Sequence, residues 1–169
     1  TGLFTPTFDP NDCLINAGFL GKKKPFRIAV FTLTKNRLEF TRKTFETLRK
    51  TAGYKFDHFV VDQRSDDGTI EYLKKEVAEG RIKKVIYNKK NMGIPYASNQ
   101  VIDEIKKDYD FICKVDNDVW FKTSGWLKTM MGVYKVFRPI ALSPYPEGLI
   151  ANAGGTHRYN YAFLGKEFL

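Results

Sequence analysis

Four short apolar runs alternate with helix-like segments between residues 26 and 137, and this alternation limits the chain's possible folds more than any other feature. FRIAVFTLT (26–34), FDHFVVD (56–62), IKKVIY (82–87) and FICKV (111–115) are rich in β-formers and read as buried strands. Between the first two, NRLEFTRKTFETLRKTAG (36–53) sets Leu38, Phe45, Leu48 and Ala52 at helical spacing, with Gly53 at the stop. DDGTIEYLKKEVAEG (66–80) reads as a turn and then a helix ended by Gly80. A helix from Ile94 to Lys107 is expected to bury Ile94, Ala97, Val101 and Ile105 on one face. SGWLKTMMGVYKVF (124–137) supplies the last helix. Such alternation predicts an α/β fold with a mostly parallel central sheet flanked by helices.

The ends of the chain read differently. Residues 1–25, with Pro6, Pro10, Gly18 and Gly21, are expected to form an irregular arm. Beyond Arg138, proline and glycine punctuate short β-like pieces. With no linker or internal repeat, residues 26–169 are expected to be one domain, a size suited to a single sizeable core. The 43% hydrophobic and 28% charged content is that of an ordinary globular protein. No apolar run is long enough to cross a bilayer, and no signal-peptide pattern is present. The chain begins at Thr1 rather than Met, so a preceding segment is expected. Cys13 and Cys113 form no CxxC or Cys/His cluster, and Cys113 reads as a reduced core thiol. A cytoplasmic setting fits, with peripheral membrane association left open.

The net charge of +9, from 28 Lys plus Arg against 19 Asp plus Glu, favours an anionic partner. The basic residues are scattered along the chain, which suits solvated faces. No RNA-binding aromatic motif or helix-turn-helix signature accompanies them. A nucleic-acid-binding module therefore stands only as an alternative.

In a sheet of this kind ligands bind beyond the carboxyl ends of the strands, near a topological switch point. Four polar segments hold that place: Thr32 to Arg37, Asp62 to Thr69, Asn88 to Gly93, and Asp116 to Asp118. The last is the most pointed, because two carboxylates end an apolar strand. Two like charges 4 Å apart repel by about 4 kcal/mol at an effective dielectric of 20, so a positive partner is expected beside them. Asp116-Asn117-Asp118 offers the oxygen ligands that hard cations such as Mn²⁺ or Mg²⁺ share with phosphate oxygens. Asp62 and Gln63 present an acceptor and an amide suited to the edge of a nucleobase or ribose, while Ser65, Asp66 and Asp67 suit a helix cap. Gly93, just before a helix and near Asn91, Lys89 and Lys90, would let backbone approach an anion closely. Neither GxGxxG nor GxxxxGK[ST] occurs, which argues against a dinucleotide site or a P-loop. Trp120, Trp126 and Tyr134 are expected to pack in the core, with stacking on a sugar as the other reading.

AVFTLTKNR, VVDQRSDDGT, NMGIPYASN and KVDNDVW, in this order and spacing, resemble the nucleotide-sugar half of an inverting family 2 glycosyltransferase of GT-A (Rossmann-like) fold. The resemblance covers about residues 26 to 130, and the tail AGGTHRYNYAFLGKEF is similar to the family's next stretch. It implies transfer of a sugar from a UDP-, dTDP- or GDP-sugar to an acceptor hydroxyl of a glycan or other molecule. It also implies a nucleotide-sugar pocket lined by Thr32, Thr34, Arg37, Asp62, Gln63, Asn91, Gly93, Asp116, Asn117 and Asp118. Asp118 would be the direct metal ligand, with Asp116 beside it, and the ion would be Mn²⁺ or Mg²⁺.

The chain departs from the family pattern in three places. Gln63 stands where many members have Asp, and Ser98 where many have Arg. The family's usual acidic base follows the stretch in which this chain reaches Leu169, and Glu167 is a poor substitute for it. The chain is accordingly expected to be part of a longer enzyme, with the general base outside it. A domain that binds nucleotide sugar without turnover remains a further alternative. His157, after AGGT, reads more readily as a surface residue than as a metal ligand.

Overall fold

The structure, a computed structural model, describes residues 25–139, 141–142 and 161–165. The expected N-terminal arm, Cys13, His157 and Glu167 lie outside the described residues. Strands β1 (Ile28–Thr34), β2 (Asp57–Asp62), β3 (Lys84–Tyr87) and β4 (Phe111–Val115) alternate with helices α1 (Leu38–Thr51), α2 (Thr69–Ala78) and α3 (Ile94–Ile105). Helix α4 (Trp126–Phe137) and the short strands β5 (Ala141–Leu142) and β6 (Tyr161–Gly165) follow. The sheet order is β3-β2-β1-β4-β6-β5. The first four strands of that order pair in parallel, and β6 runs antiparallel to both β4 and β5. The predicted α/β architecture is therefore present.

Side-chain alternation along the strands sorts the core into two layers. Ile28 and Val30 of β1, with Phe111, Cys113 and Val115 of β4, meet Leu48 and Ala52 of the α1 end and Leu127 and Met131 of α4. Val60 of β2 meets Phe45 of α1 and Leu73 of α2 on this same side. Ala29, Phe31, Phe59, Val61 and Ile112 point the other way, onto Ala97, Val101 and Ile105 of α3. A fully buried Val, Leu or Phe contributes about 1.5–3 kcal/mol through the area it removes from water. Cys113 belongs to this core as a free thiol, as expected, and burial pushes its pKa up to about 12.

Helix α1 ends against the start of α4. The Gly125 N–H donates to Thr51 O at 2.6 Å, and the amides of Leu127 and Lys128 donate to Ala52 O at 3.1 and 3.2 Å. Carbonyls left over at one helix end thus satisfy amides left over at the other. Gly53 permits the approach: its φ is +66°, and a Cβ there would lie 2.7 Å from Gly125 Cα.

Two expected core positions are solvent-facing. Ile94 is 63% exposed, because the first turn of α3 begins level with Gln63, beyond the last residue of β2. Only Ala97, Val101 and Ile105, further along the helix, reach the sheet. Trp120 is 47% exposed, whereas Trp126 and Tyr134 are buried as expected, because they lie on the sheet-facing stripe of α4 and Trp120 precedes that helix.

Candidate active site

Strands β2 and β3 lie on one side of β1, and β4 lies on the other. The carboxyl ends of β1 and β4 therefore flank the switch point, where an open α/β sheet leaves a crevice. The four polar segments picked out in the sequence meet around it through direct bonds.

The end of β2 is closed. Thr34 and Asp62 are partners in strand register and share the α1 face of the sheet. Asp62 is fully buried; it accepts the Thr34 hydroxyl at 2.9 Å, the Ser65 N–H at 2.9 Å and the Ser65 hydroxyl at 2.6 Å. Hydrogen bonds, rather than a cation, satisfy this carboxylate. Ser65 Oγ in turn accepts the Asn36 N–H at 2.7 Å, joining the loops after β1 and β2. Two further bonds reinforce the join: Asn36 Nδ2 donates to Asp66 Oδ1 at 2.8 Å, and Asp66 N–H donates to Asn36 Oδ1 at 2.9 Å. Thr32, also buried, has its hydroxyl 3.2 Å from His58 Nε2. Burial, with Arg49 adding a smaller repulsion, pushes the His58 pKa down to about 3 and keeps the ring neutral.

Gln63 is committed as well. Its Nε2 donates to Gly93 O at 3.1 Å, and its Oε1 accepts the Met92 N–H at 3.0 Å and Asn88 Nδ2 at 3.1 Å. The amide thereby pins the loop before α3, and an aspartate at this position would lack the donor for Gly93. Asn91 Oδ1 accepts the Gly93 N–H at 2.9 Å in an Asx turn, and Gly93, with φ +80° and ψ 161°, opens α3 without a side-chain cap. Lys89 and Lys90 are solvated.

Asp67 serves two helices at once. Its Oδ2 accepts the Leu38 N–H at the start of α1 at 2.9 Å, and its Oδ1 accepts the Thr69 hydroxyl at 2.6 Å and the Thr69 N–H at 3.1 Å at the start of α2. Desolvation acts to raise its pKa, but these donors outweigh it and hold the carboxyl below the usual value. This cap falls within the Ser65–Asp67 group expected from sequence.

The end of β4 is open. Asp116 and Asp118 are both partly exposed, and each has its own cation: Lys114 pairs with Asp116, and Arg37 NH1 lies 3.0 Å from Asp118 Oδ2. The positive charge that the acidic turn requires is thus present in the chain itself. Arg37 reaches Asp118 from a left-handed backbone, φ 62°, directly after Asn36 at φ 56°. For residues other than glycine such conformations cost about 1–3 kcal/mol each and cluster where function over-determines the backbone. The Asn36 and Leu38 bonds to Ser65, Asp66 and Asp67 hold them in place.

Asn117 faces α1 rather than the crevice. Its Nδ2 donates to Thr41 Oγ1 at 3.1 Å, and its carbonyl accepts the Thr44 hydroxyl at 2.9 Å. Thr41 and Thr44 are fully buried on the core side of α1 and were not singled out from sequence, nor was Ser65 as the bridge to Asp62. Their signal was available: hydroxyls on the apolar stripe of a helix, one turn apart, need partners. Asp62, Gln63 and Asn117, expected from sequence to line the nucleotide-sugar pocket, direct these side-chain bonds inwards and shape its loops.

Two carboxylates at the switch point fit a hard divalent ion, which takes one or two protein carboxylates and completes its octahedron with water and phosphate oxygens. Among the described residues no cluster of three or more His, Cys, Asp or Glu side chains adds to them.

This arrangement of sheet, switch point and acidic turn is that of a GT-A glycosyltransferase domain. The match to the Glycosyl transferase family 2 profile over residues 29–149 places the chain in that family. In structure it resembles residues 1–349 of TarS from S. aureus, with TM-score 0.67 and 17% identity, covering 85% of this chain and 48% of that one. It also resembles the mannosyltransferase PcManGT from Pyrobaculum calidifontis, solved with GDP-Man and Mn²⁺, with TM-score 0.69 and 14% identity, covering 87% of this chain and 49% of that one. TarS 1–349 in complex with UDP-GlcNAc matches with TM-score 0.62 and 20% identity over 77% of this chain and 37% of that one. The chain thus spans about half the length of the first two structures. No curated protein matches it in sequence. None of the described helices is long and apolar enough to cross a membrane.

Proposed function

We propose that this chain is the donor-binding part of an enzyme that transfers a sugar, with inversion, from a nucleoside diphosphate sugar to an acceptor hydroxyl. One observation carries the reading: in a family 2 domain, two partly exposed carboxylates, Asp116 and Asp118, stand at the switch point with only single-cation partners. In an inverting transfer the acceptor oxygen bonds to the anomeric carbon as that carbon's bond to the diphosphate breaks, and the acceptor proton passes to a carboxylate base. No described residue is assigned that base.

Asp118, with Asp116 beside it, would hold Mn²⁺ or Mg²⁺, which when bound would neutralise charge building on the departing diphosphate. Arg37 already stands at Asp118 through an exposed ion pair, a contact worth about 0–1 kcal/mol and therefore easily exchanged for diphosphate oxygens. Thr34, Asp62, Gln63, Asn91, Gly93 and Asn117 serve the pocket by fixing its loops, and Thr32 by its place in the strand beneath them. The base would meet the loops after β1 and β2, where Gln63 replaces an acidic residue.

The test is thermal unfolding with Mn²⁺ or Mg²⁺ and UDP, dTDP or GDP. One nucleotide–metal combination is expected to raise the Tm by several degrees, and Asp118→Ala to abolish the rise. Absence of any nucleotide effect overturns the reading. Donor hydrolysis or transfer by the longer protein separates a working enzyme from one that only binds.

A further inference from the structure

Large apolar side chains left in water beside a charged site call for an occupant, and Phe40 and Trp120 are such a pair. Each is 47% exposed. Their ring planes are 17° from parallel with centroids 6.3 Å apart, so the rings are offset and present one broad aromatic shelf. Lys43 Nζ lies 4.3 Å from the Trp120 centroid.

The shelf is continuous with the acidic turn. From the loop before α1 into its first turn, Asn36 bonds the loop after β2, Arg37 pairs with Asp118, and Phe40, three residues after Arg37, stacks on Trp120. The shelf therefore lies on the far side of the Arg37–Asp118 pair from Asp62 and Gln63, the end assigned to the base. Asn117 and Phe121, bonded to Thr41, Thr44 and Thr47, hold the Trp120 segment along the helix.

We propose that Phe40 and Trp120 form the stacking platform for the acceptor saccharide. This inference rests on the glycosyltransferase reading, since the acceptor must approach the sugar bonded to the diphosphate at the acidic turn. A pyranose ring has an apolar C–H face and a hydroxyl-bearing edge. The shelf offers the surface that matches the face, two exposed aromatic rings, with the Lys43 ammonium held over the Trp120 ring. A nucleobase would also stack on such a shelf, but it is already assigned a place at the opposite end of the crevice.

The chain's two tryptophans make the test direct, because Trp126 is buried and acrylamide quenching reports chiefly on Trp120. The intact chain is titrated, with and without Mn²⁺–nucleotide, with trisaccharides of β-linked glucose, β-linked N-acetylglucosamine and mannose. At least one is expected to shield Trp120. Trp120→Ala and Phe40→Ala, followed by calorimetry, should weaken its binding about tenfold, while Trp120→Phe largely restores it. The nucleotide-induced rise in Tm should persist in Trp120→Ala, and its absence in the unmodified chain would instead sink the glycosyltransferase reading. The platform is overturned if no saccharide shields Trp120, if Trp120→Ala binds saccharide as well as the parent, or if nucleotide alone gives the shielding. It is also overturned if Trp120 in the free chain is as protected as Trp126, which would mean that another part of the protein covers the shelf.

Discussion

The carboxyl ends of β2 and β4 each present aspartate, yet they solve the problem of charge in opposite ways. Asp62 is removed from water entirely and surrounded by hydroxyl and amide donors, so its geometry is determined by the fold. Asp116 and Asp118 stay partly solvated and lean on single cations that a ligand can displace. A buried, fully bonded carboxylate builds a site, and an exposed, loosely paired one is available to work in it. Residue type does not separate the two roles; the number of backbone and hydroxyl donors around the carboxylate does.

The sharpest way to break this contrast is Asp62→Ala. It strands the Thr34 hydroxyl and the Ser65 donors in a buried space, and each unsatisfied group costs about 1–3 kcal/mol. A loss of about 3 kcal/mol is expected, seen as a Tm lower by about 10 °C. A change below 1 kcal/mol would remove Asp62 from its structural role.

The buried face of β2 also predicts acid sensitivity. His58, four residues before Asp62 on the same face, has its folded pKa depressed from 6.5 to about 3. Its contribution is therefore fully present above pH 6.5 and is lost progressively as pH falls towards 3, because only the unfolded chain takes up the proton. Between pH 6.5 and 5 this amounts to about 2 kcal/mol at 1.36 kcal/mol per unit. Denaturant unfolding of the parent and of His58→Leu at both pH values isolates the term, since the variant should lack that share of the decline.

At the open end the expectation reverses. Asp118→Ala should change stability by less than about 1 kcal/mol, because only an exposed pair is lost, while the response to Mn²⁺ and nucleotide disappears. The smallest effect is expected from Arg37→Gln. With its competing cation gone, Asp118 should bind Mn²⁺ alone about two- to fivefold more tightly, measured by calorimetry, while nucleotide binding weakens. Tighter nucleotide binding in that variant would contradict the placement of Arg37 beside the diphosphate.

The fold was largely legible because strand and helix periods are written in apolar residues, and Gly53 and Gly80 marked two helix stops correctly. The position of the site was legible for the same reason, since strand ends locate loops. The direction of its side chains was read less well. Alternation along DHFVVD puts His58, Val60 and Asp62 on one face, the face that α1 and α2 cover. A carboxylate in that register had to find internal partners, but Ser65 and Thr34 become its neighbours only once the loops close. Asn117 shows the same limit, its partners Thr41 and Thr44 being more than 70 residues away. Trp120 and Trp126 look alike in sequence, and only the helix that starts between them separates an exposed ring from a buried one.

The end-to-end junction of α1 and α4 has a mechanical consequence. The stretch carrying Asp118 and Trp120 is tethered to α1 near its beginning by Asn117 and at its end by Gly125, like a strap stitched at both ends to one rod. The acidic turn and the aromatic shelf therefore travel with α1 as a unit. A movement that repositions Asp116 and Asp118 carries the rings along by the same amount, and the spacing between them survives any closure of the crevice.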